Sequence, residues 1–245
     1  MYRVKPSRYN LSLVATLIRG KVVNLGSLEW VSLLWFLACW IGYGRYSGLK
    51  STHGQRLQDA LQLHIKRWIA QVEQRDNRMV DTAIIANIER NATFMASSSL
   101  LIIAGLVTAI GSADKALALF TQLPFVRFDP QTWEIGLIIM TTVFAYAFFT
   151  FTWCIRQWGF ASILIGSVPH PSQPIDERLE QSLGQIISLA VYHFNIGLRA
   201  YYYSLALLTW FIHPLIFILA TTWVVAVLYR REFHSKTLKA LASGL

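Results

Sequence analysis

Residues 92–112 read ATFMASSSLLIIAGLVTAIGS. No Lys, Arg, Asp or Glu interrupts the stretch. About 20 apolar residues in a helix cross the ~30 Å hydrocarbon core of a bilayer. A helix satisfies its own backbone groups, so such a block reads as a membrane-spanning helix and not as a strand. Ala92 and Ala96 are four residues apart, as are Gly105 and Ala109, and small residues at that spacing let helices approach closely.

Working outward, three more stretches read the same way: residues 28–46, 135–155 and 204–229. Aromatic residues gather at their ends, at Trp30 and Tyr46, Trp133 and Trp158, Tyr201 to Tyr203, and Tyr229. That is the pattern of an interfacial belt. The fold class is therefore all-α, a multi-pass membrane protein with four transmembrane helices and amphipathic loop helices on one face. Residues 1–27 form a basic extension, 28–229 the four-span domain with helical loops 55–91 and 156–203, and 230–245 a basic tail. Composition agrees. Of 245 residues, 54% are hydrophobic and 14% charged, against roughly 25% charged in a soluble domain. This excludes a disordered chain, a soluble coiled coil, a disulfide scaffold and an ordinary soluble enzyme. Cys39 and Cys154 lie in apolar runs without ligand spacing.

Between the first two spans, Leu57, Leu61, Ile65, Trp68 and Val72 share a helical face, while Arg56, Asp59, Lys66, Arg67 and Arg75 lie away from it. The spacing predicts a surface helix that continues, bent or straight, through Asp81 into the second span. Between the last two spans, Pro169, Pro171 and Pro174 make a turn, and Asp176 is the N-cap of a second amphipathic helix. Four spans put both termini on one face. Lys and Arg then divide 11 to 11 between the faces of the 22 present, which leaves orientation to the bulk of the loop helices. Bulky folded loops favour the cytoplasmic side. The net charge of +9 sits at span edges and on one loop helix, not in an aromatic-interleaved stripe. It points to anionic lipid headgroups and not to nucleic acid.

Polar residues at the span edges are the candidate site. Arg78 and Asp81 are three apart and can pair on a helix, as a structural ion pair or as part of a ligand site. Tyr192, Asn195, Arg199 and Tyr202 fall on one helical face, beside His193. A guanidinium with an amide and two phenols near a low-dielectric boundary can hold an anion or a headgroup, or can join loop helices to the bundle. His213, before Pro214, lies within the fourth expected span and is the candidate for pH sensing. No metalloprotease, nucleophile-elbow, P-loop, C-x-x-C or dinucleotide motif is present. No catalytic residue, metal site or cofactor is expected.

Several motifs carry a resemblance. They are Arg75-Asp76-Asn77-Arg78 with Asp81, Phe94-Met95-Ala96-Ser97, Leu123-Pro124-Phe125, Ala147-Phe148-Phe149 and Ile165-Gly166. The strongest is Phe194-Asn195-Ile196-Gly197-Leu198-Arg199-Ala200-Tyr201, followed by Trp210 and Arg230-Arg231-Glu232-Phe233. From about Leu28 to Ala240 the chain resembles a family of bacterial and plant membrane proteins, domain-of-unknown-function family 599. It departs from that pattern at Ile196, where an arginine is common, and at Met95, where a phenylalanine is. The resemblance implies a four-span membrane protein and no activity. The functional expectation is an oligomeric channel or transport-type protein of the bacterial inner membrane. The alternative is a non-catalytic scaffold or accessory subunit that binds a partner or anionic lipid through its loop helices. Its expected partners are the lipid bilayer, anionic lipid and copies of itself.

Overall fold

The structure is a computed structural model that describes residues 25–49, 56–112, 130–173 and 176–244. It comprises α1 (Ser27–Leu49), α2 (Leu57–Glu73), α3 (Met79–Ile110), α4 (Pro130–Ser167), α5 (Glu177–Leu208), a 3-10 turn (Thr209–Phe211), α6 (Pro214–Phe233) and α7 (Lys236–Ser243). There is no strand among the described residues. Three stretches are long and apolar enough to cross a membrane: Met79–Ile110, Gln131–Ser167 and Pro214–Ser243. The 23-residue α1 is not among them. Its tryptophans, tyrosines, glycines and Arg45 lower its mean hydropathy.

Two expectations about helix ends need correction. The surface helix does not run on into the second span: α2 stops at Glu73 and α3 starts at Met79. The side chains at the break hold the chain in a turn, with the Asn77 Oδ1 accepting from the Met79 N–H at 3.0 Å. The expected span 204–229 is not one helix either. Its first residues finish α5, and His213 is extended, at φ −163° and ψ 136°. Proline has no N–H and excludes helical backbone from the residue before it, so the break falls immediately before Pro214. Asp176 is the N-cap of α5, accepting from the Arg178 N–H at 3.0 Å.

The break reverses the chain. Trp210 and Phe217 rings meet at 6.2 Å across the turn, and Asn195 of α5 and Glu232 of α6 line one cavity at the other end. Hence α6 runs antiparallel to α5. It runs parallel to α1, since Trp35 donates to Thr222 Oγ1 at 3.1 Å and Tyr46 meets Phe233 at 6.1 Å. The C-terminal tail thus ends beside the loop helices, where α7 rests on α2 and His64 Nε2 lies 3.0 Å from the Leu241 carbonyl.

Two cores stack end to end. The first joins α1, α3, α4, α5 and α6 through Phe36, Ala96, Phe151, Tyr203, Trp210 and Phe217. The second joins α2, α3, α4 and α5 through Ile69, Ile85, Trp158, Ile165 and Leu183. The 32 residues of α3 and 38 of α4 let both helices serve both cores, at about 48 and 57 Å. Ala92, Ala96 and Ser99 of α3 pack inward, whereas Gly105 faces open space.

α5 approaches α4 closely at Gly197, where a Cβ would lie 2.6 Å from the Phe151 ring. Gly197→Ala is expected to destabilise the protein by about 1–3 kcal/mol, the usual cost of overpacking. Thermal unfolding in detergent checks this, and a wild-type melting temperature would refute the close packing of α4 on α5.

Candidate functional site

Arg199 sits where the two cores meet. On α5 it follows the last second-core residues, and on its far side lies the end of α1. Its Nη1 donates to Ser47 Oγ at 2.8 Å, and its guanidinium lies 5.2 Å from the Tyr43 ring centroid. A cavity of about 310 Å³ opens beside it, lined by Trp40, Tyr43, Arg45, Tyr146, Tyr192 and Arg199 among others. Among the described residues, no carboxylate lines it.

Asn195 lies in a second cavity of about 230 Å³, with Glu232, Trp158, Phe194 and Leu57. The expected face of Tyr192, Asn195, Arg199 and Tyr202 is therefore divided. Tyr192 and Arg199 share the first cavity, and Asn195 lines the second. Tyr202 accepts a hydrogen bond from Arg231 of α6 and lies under its guanidinium at 5.2 Å. The end of α1, through Ser47, sits against this face and separates its residues.

Three residues complete the charged junction. Arg56, expected on a polar face, is only 5% exposed. It precedes α2 and donates to the Ser47 carbonyl and, at 3.4 Å, to Asp59 Oδ2. Glu232 lies within the electrostatic reach of Arg199 and Arg56, and its Oε1 is buried without a hydrogen-bond partner. In the sequence Glu232 stands out only as part of the closing Arg230-Arg231-Glu232-Phe233 motif. Its signal was a lone acid within the basic Arg230-Arg231-Glu232 run.

Arg78 and Asp81 do not pair with each other. Arg78 is outside the helix, at φ −98° and ψ 14°, so helical i,i+3 geometry does not apply to it. It donates to the carbonyls of Val72, Val168 and Pro169 at 3.3, 2.6 and 2.5 Å. Asp81 is fully buried and accepts from Arg75 Nη1 at 2.6 Å and Trp68 Nε1 at 2.8 Å. Arg78 ties the α2–α3 turn to the end of α4, and Asp81 ties the start of α3 to α2 and the turn. Close by, burial and then the Glu180 carboxylate push the Glu73 carboxyl above the usual carboxylate range. His193 Nδ1 lies 2.8 Å from the Leu189 carbonyl one turn back, and the ring lines neither cavity. Among the described residues, no cluster of His, Cys, Asp or Glu could hold a metal ion.

The family described as "Protein of unknown function, DUF599" matches residues 31–237. The chain belongs to that family. No curated protein and no solved structure matches it. The match runs from α1 into α7, so both cavities and the Arg78–Asp81 region fall within it.

His213 is not in the middle of a helix. It is the N-cap of α6, its Nδ1 accepting from the Leu215 N–H at 3.1 Å. That bond needs a free lone pair on Nδ1. His213→Ala is expected to cost about 1 kcal/mol, and His213→Asn, a strong capping residue, to restore most of it. Equal melting temperatures for the two variants would remove the cap from the account.

Proposed function

We propose that the protein is a multi-pass membrane protein of the transport type that binds an anionic ligand at Arg199. The observation that carries this reading is the 310 Å³ cavity at the junction of the cores, with Arg199 and Arg45 in its wall and no acid among the described residues that line it. A guanidinium in a water-poor site gives strong charge-assisted hydrogen bonds to a carboxylate or phosphate. Phe36, Phe151, Trp210 and Phe217 fill the bundle itself. This favours a binding or carrier role over a pore through one protomer, and the site offers no nucleophile–base pair for catalysis.

Five crossings suit the fold better than four. α1, α3 from Ala92, α4 from Ile135 to Arg156, α5 from Asn195 with its 3-10 turn, and α6 each cover about 25–35 Å, which matches a hydrocarbon core. Arg90, Arg156, Arg199 and Arg230 then mark one headgroup level. The tail moves to the loop side with Arg230, Arg231, Lys236 and Lys239. The balance of 11 to 11 among the 22 Lys and Arg becomes 15 to 7 in favour of the loop side. The positive-inside rule then makes that side cytoplasmic, in a bacterial inner membrane.

A second reading, a pore shared between copies, is favoured by the outer face of α3, where Ala104, Gly105 and Thr108 are exposed. It predicts a closed ring by native mass spectrometry, and a monomer would remove it.

Two measurements test the main reading. Topology reporters placed before Gly26 and after Gly244 are expected on opposite faces of the membrane; finding them on one face restores four spans. Phosphate-bearing ligands, soluble or lipid, are expected to bind the purified protein about tenfold more tightly than they bind Arg199→Gln. No Arg199-dependent binding of either kind would overturn the anion site.

A further inference from the structure

The cavity beside Arg199 opens sideways, and its walls say where its ligand comes from. Ile41, Tyr146 and Tyr192 line it and are 52%, 45% and 47% exposed. They belong to the outer surface of the bundle, not to an end. Its floor is Tyr203, which stacks on Trp40 at 5.0 Å and donates to the Cys39 carbonyl at 3.1 Å. α1 meets α4 here through the rings of Trp40 and Tyr146, 5.9 Å apart. A Cβ on Gly44 would meet nothing within 4 Å, so the groove is empty along α1. The apolar and aromatic end of the groove lies toward the first core, and its cationic end at the junction of the two cores.

At the cationic end, the guanidiniums are not used up. Arg199 has five N–H donors; the described residues engage one of its nitrogens, in the bond to Ser47. Arg45 has no hydrogen-bond or ion-pair partner among the described residues. The nearest acid of the junction, Glu232, lines the other cavity.

We infer that this groove takes an anionic phospholipid from the bilayer, with its phosphate between Arg199 and Arg45 and its first carbons along Trp40 and Tyr146. The inference rests on the anion-binding reading and names the ligand class. A free phosphate would meet the cationic end but leave the aromatic wall uncovered. A lipid phosphate fills both. The volume of 310 Å³ suits a headgroup and the chain beginnings, with the tails continuing in the bilayer. Two guanidiniums and, among the described residues, no carboxylate line the groove, so a headgroup with net negative charge meets more opposite charge there than a zwitterionic one. Anionic headgroups are selected over zwitterionic ones, as two cations at a membrane surface require.

The test is native mass spectrometry of the full chain in detergent with three probes: phosphatidylglycerol, phosphatidylcholine of the same chains, and soluble glycerol phosphate. Phosphatidylglycerol is expected to be retained about tenfold more than either of the others. Arg199→Gln is expected to lose that preference. Gly44→Leu, which leaves Arg199 intact and fills the groove, is expected to lose phosphatidylglycerol as well. Glycerol phosphate binding as tightly as the lipid would overturn the lipid ligand while leaving the anion site standing. Equal retention of the two lipids, or wild-type retention by Gly44→Leu, would also overturn the inference. No Arg199-dependent binding by any probe removes both readings.

Discussion

Pro214 sets the path of the last third of the chain. A proline gives no N–H to a helix, and the residue before it is held extended. His213 therefore ends one helical run and caps the next. What would otherwise be one long apolar helix becomes two antiparallel ones. Three consequences follow from that reversal. Glu232 comes back to the level of Asn195, where both line one cavity. The end of α6 meets the end of α1 through Tyr46, Tyr229 and Phe233. The tail reaches α2, with Arg67 donating to the Gly244 carbonyl at 2.6 Å.

α5 is the shared wall of both cores. Its first half is amphipathic and packs Leu183, Ile187 and Ala190 into the second core, while Ala200, Tyr203 and Leu207 serve the first. Contact at the changeover is by backbone more than by bulk, at Gly197 against Phe151. Tyr201 then reaches α3, its hydroxyl 2.9 Å from Ser99 Oγ and donating to the Met95 carbonyl at 3.0 Å. Each such bond contributes about 0.5–1.5 kcal/mol net, and leaving the groups buried and unpaired costs more. The same changeover brings Arg199 to the side of α5 that faces α1, so packing and candidate chemistry meet in one helical turn.

Magnitudes separate the two charged regions. An exposed i,i+3 pair is worth about 0.2–0.5 kcal/mol, whereas breaking a buried ion pair costs about 3–5 kcal/mol. Asp81 has no exposure while Arg75 is 39% exposed, so solvent screening places their pair between these limits, with the Trp68 indole as a second donor to Asp81. Its role and that of Arg78 is to hold turns together. Arg199 differs, because its single hydrogen bond leaves donors facing an open cavity. The charge at α2–α3 holds the fold together, and the charge at α1–α5 borders a cavity, with Glu232 in its electrostatic reach.

Composition and periodicity by themselves determined that the chain is all-helical and rich in membrane-length apolar stretches. They also located Asp176 as a cap. These follow from local physics: about 20 apolar residues fill a bilayer, and a capping side chain reaches only two or three residues ahead. The extended residue before Pro214 was just as local, but a long apolar run on both sides of it masked the break. Tertiary structure decided what depends on distant partners. It turned Arg78 away from Asp81, buried Arg56 against Ser47, divided the face of Tyr192, Asn195, Arg199 and Tyr202, and returned Glu232 to the junction. A helical wheel gives the direction of a side chain from its own axis. Only the neighbouring helix fixes whether that direction meets a carbonyl, an ion partner or an open groove.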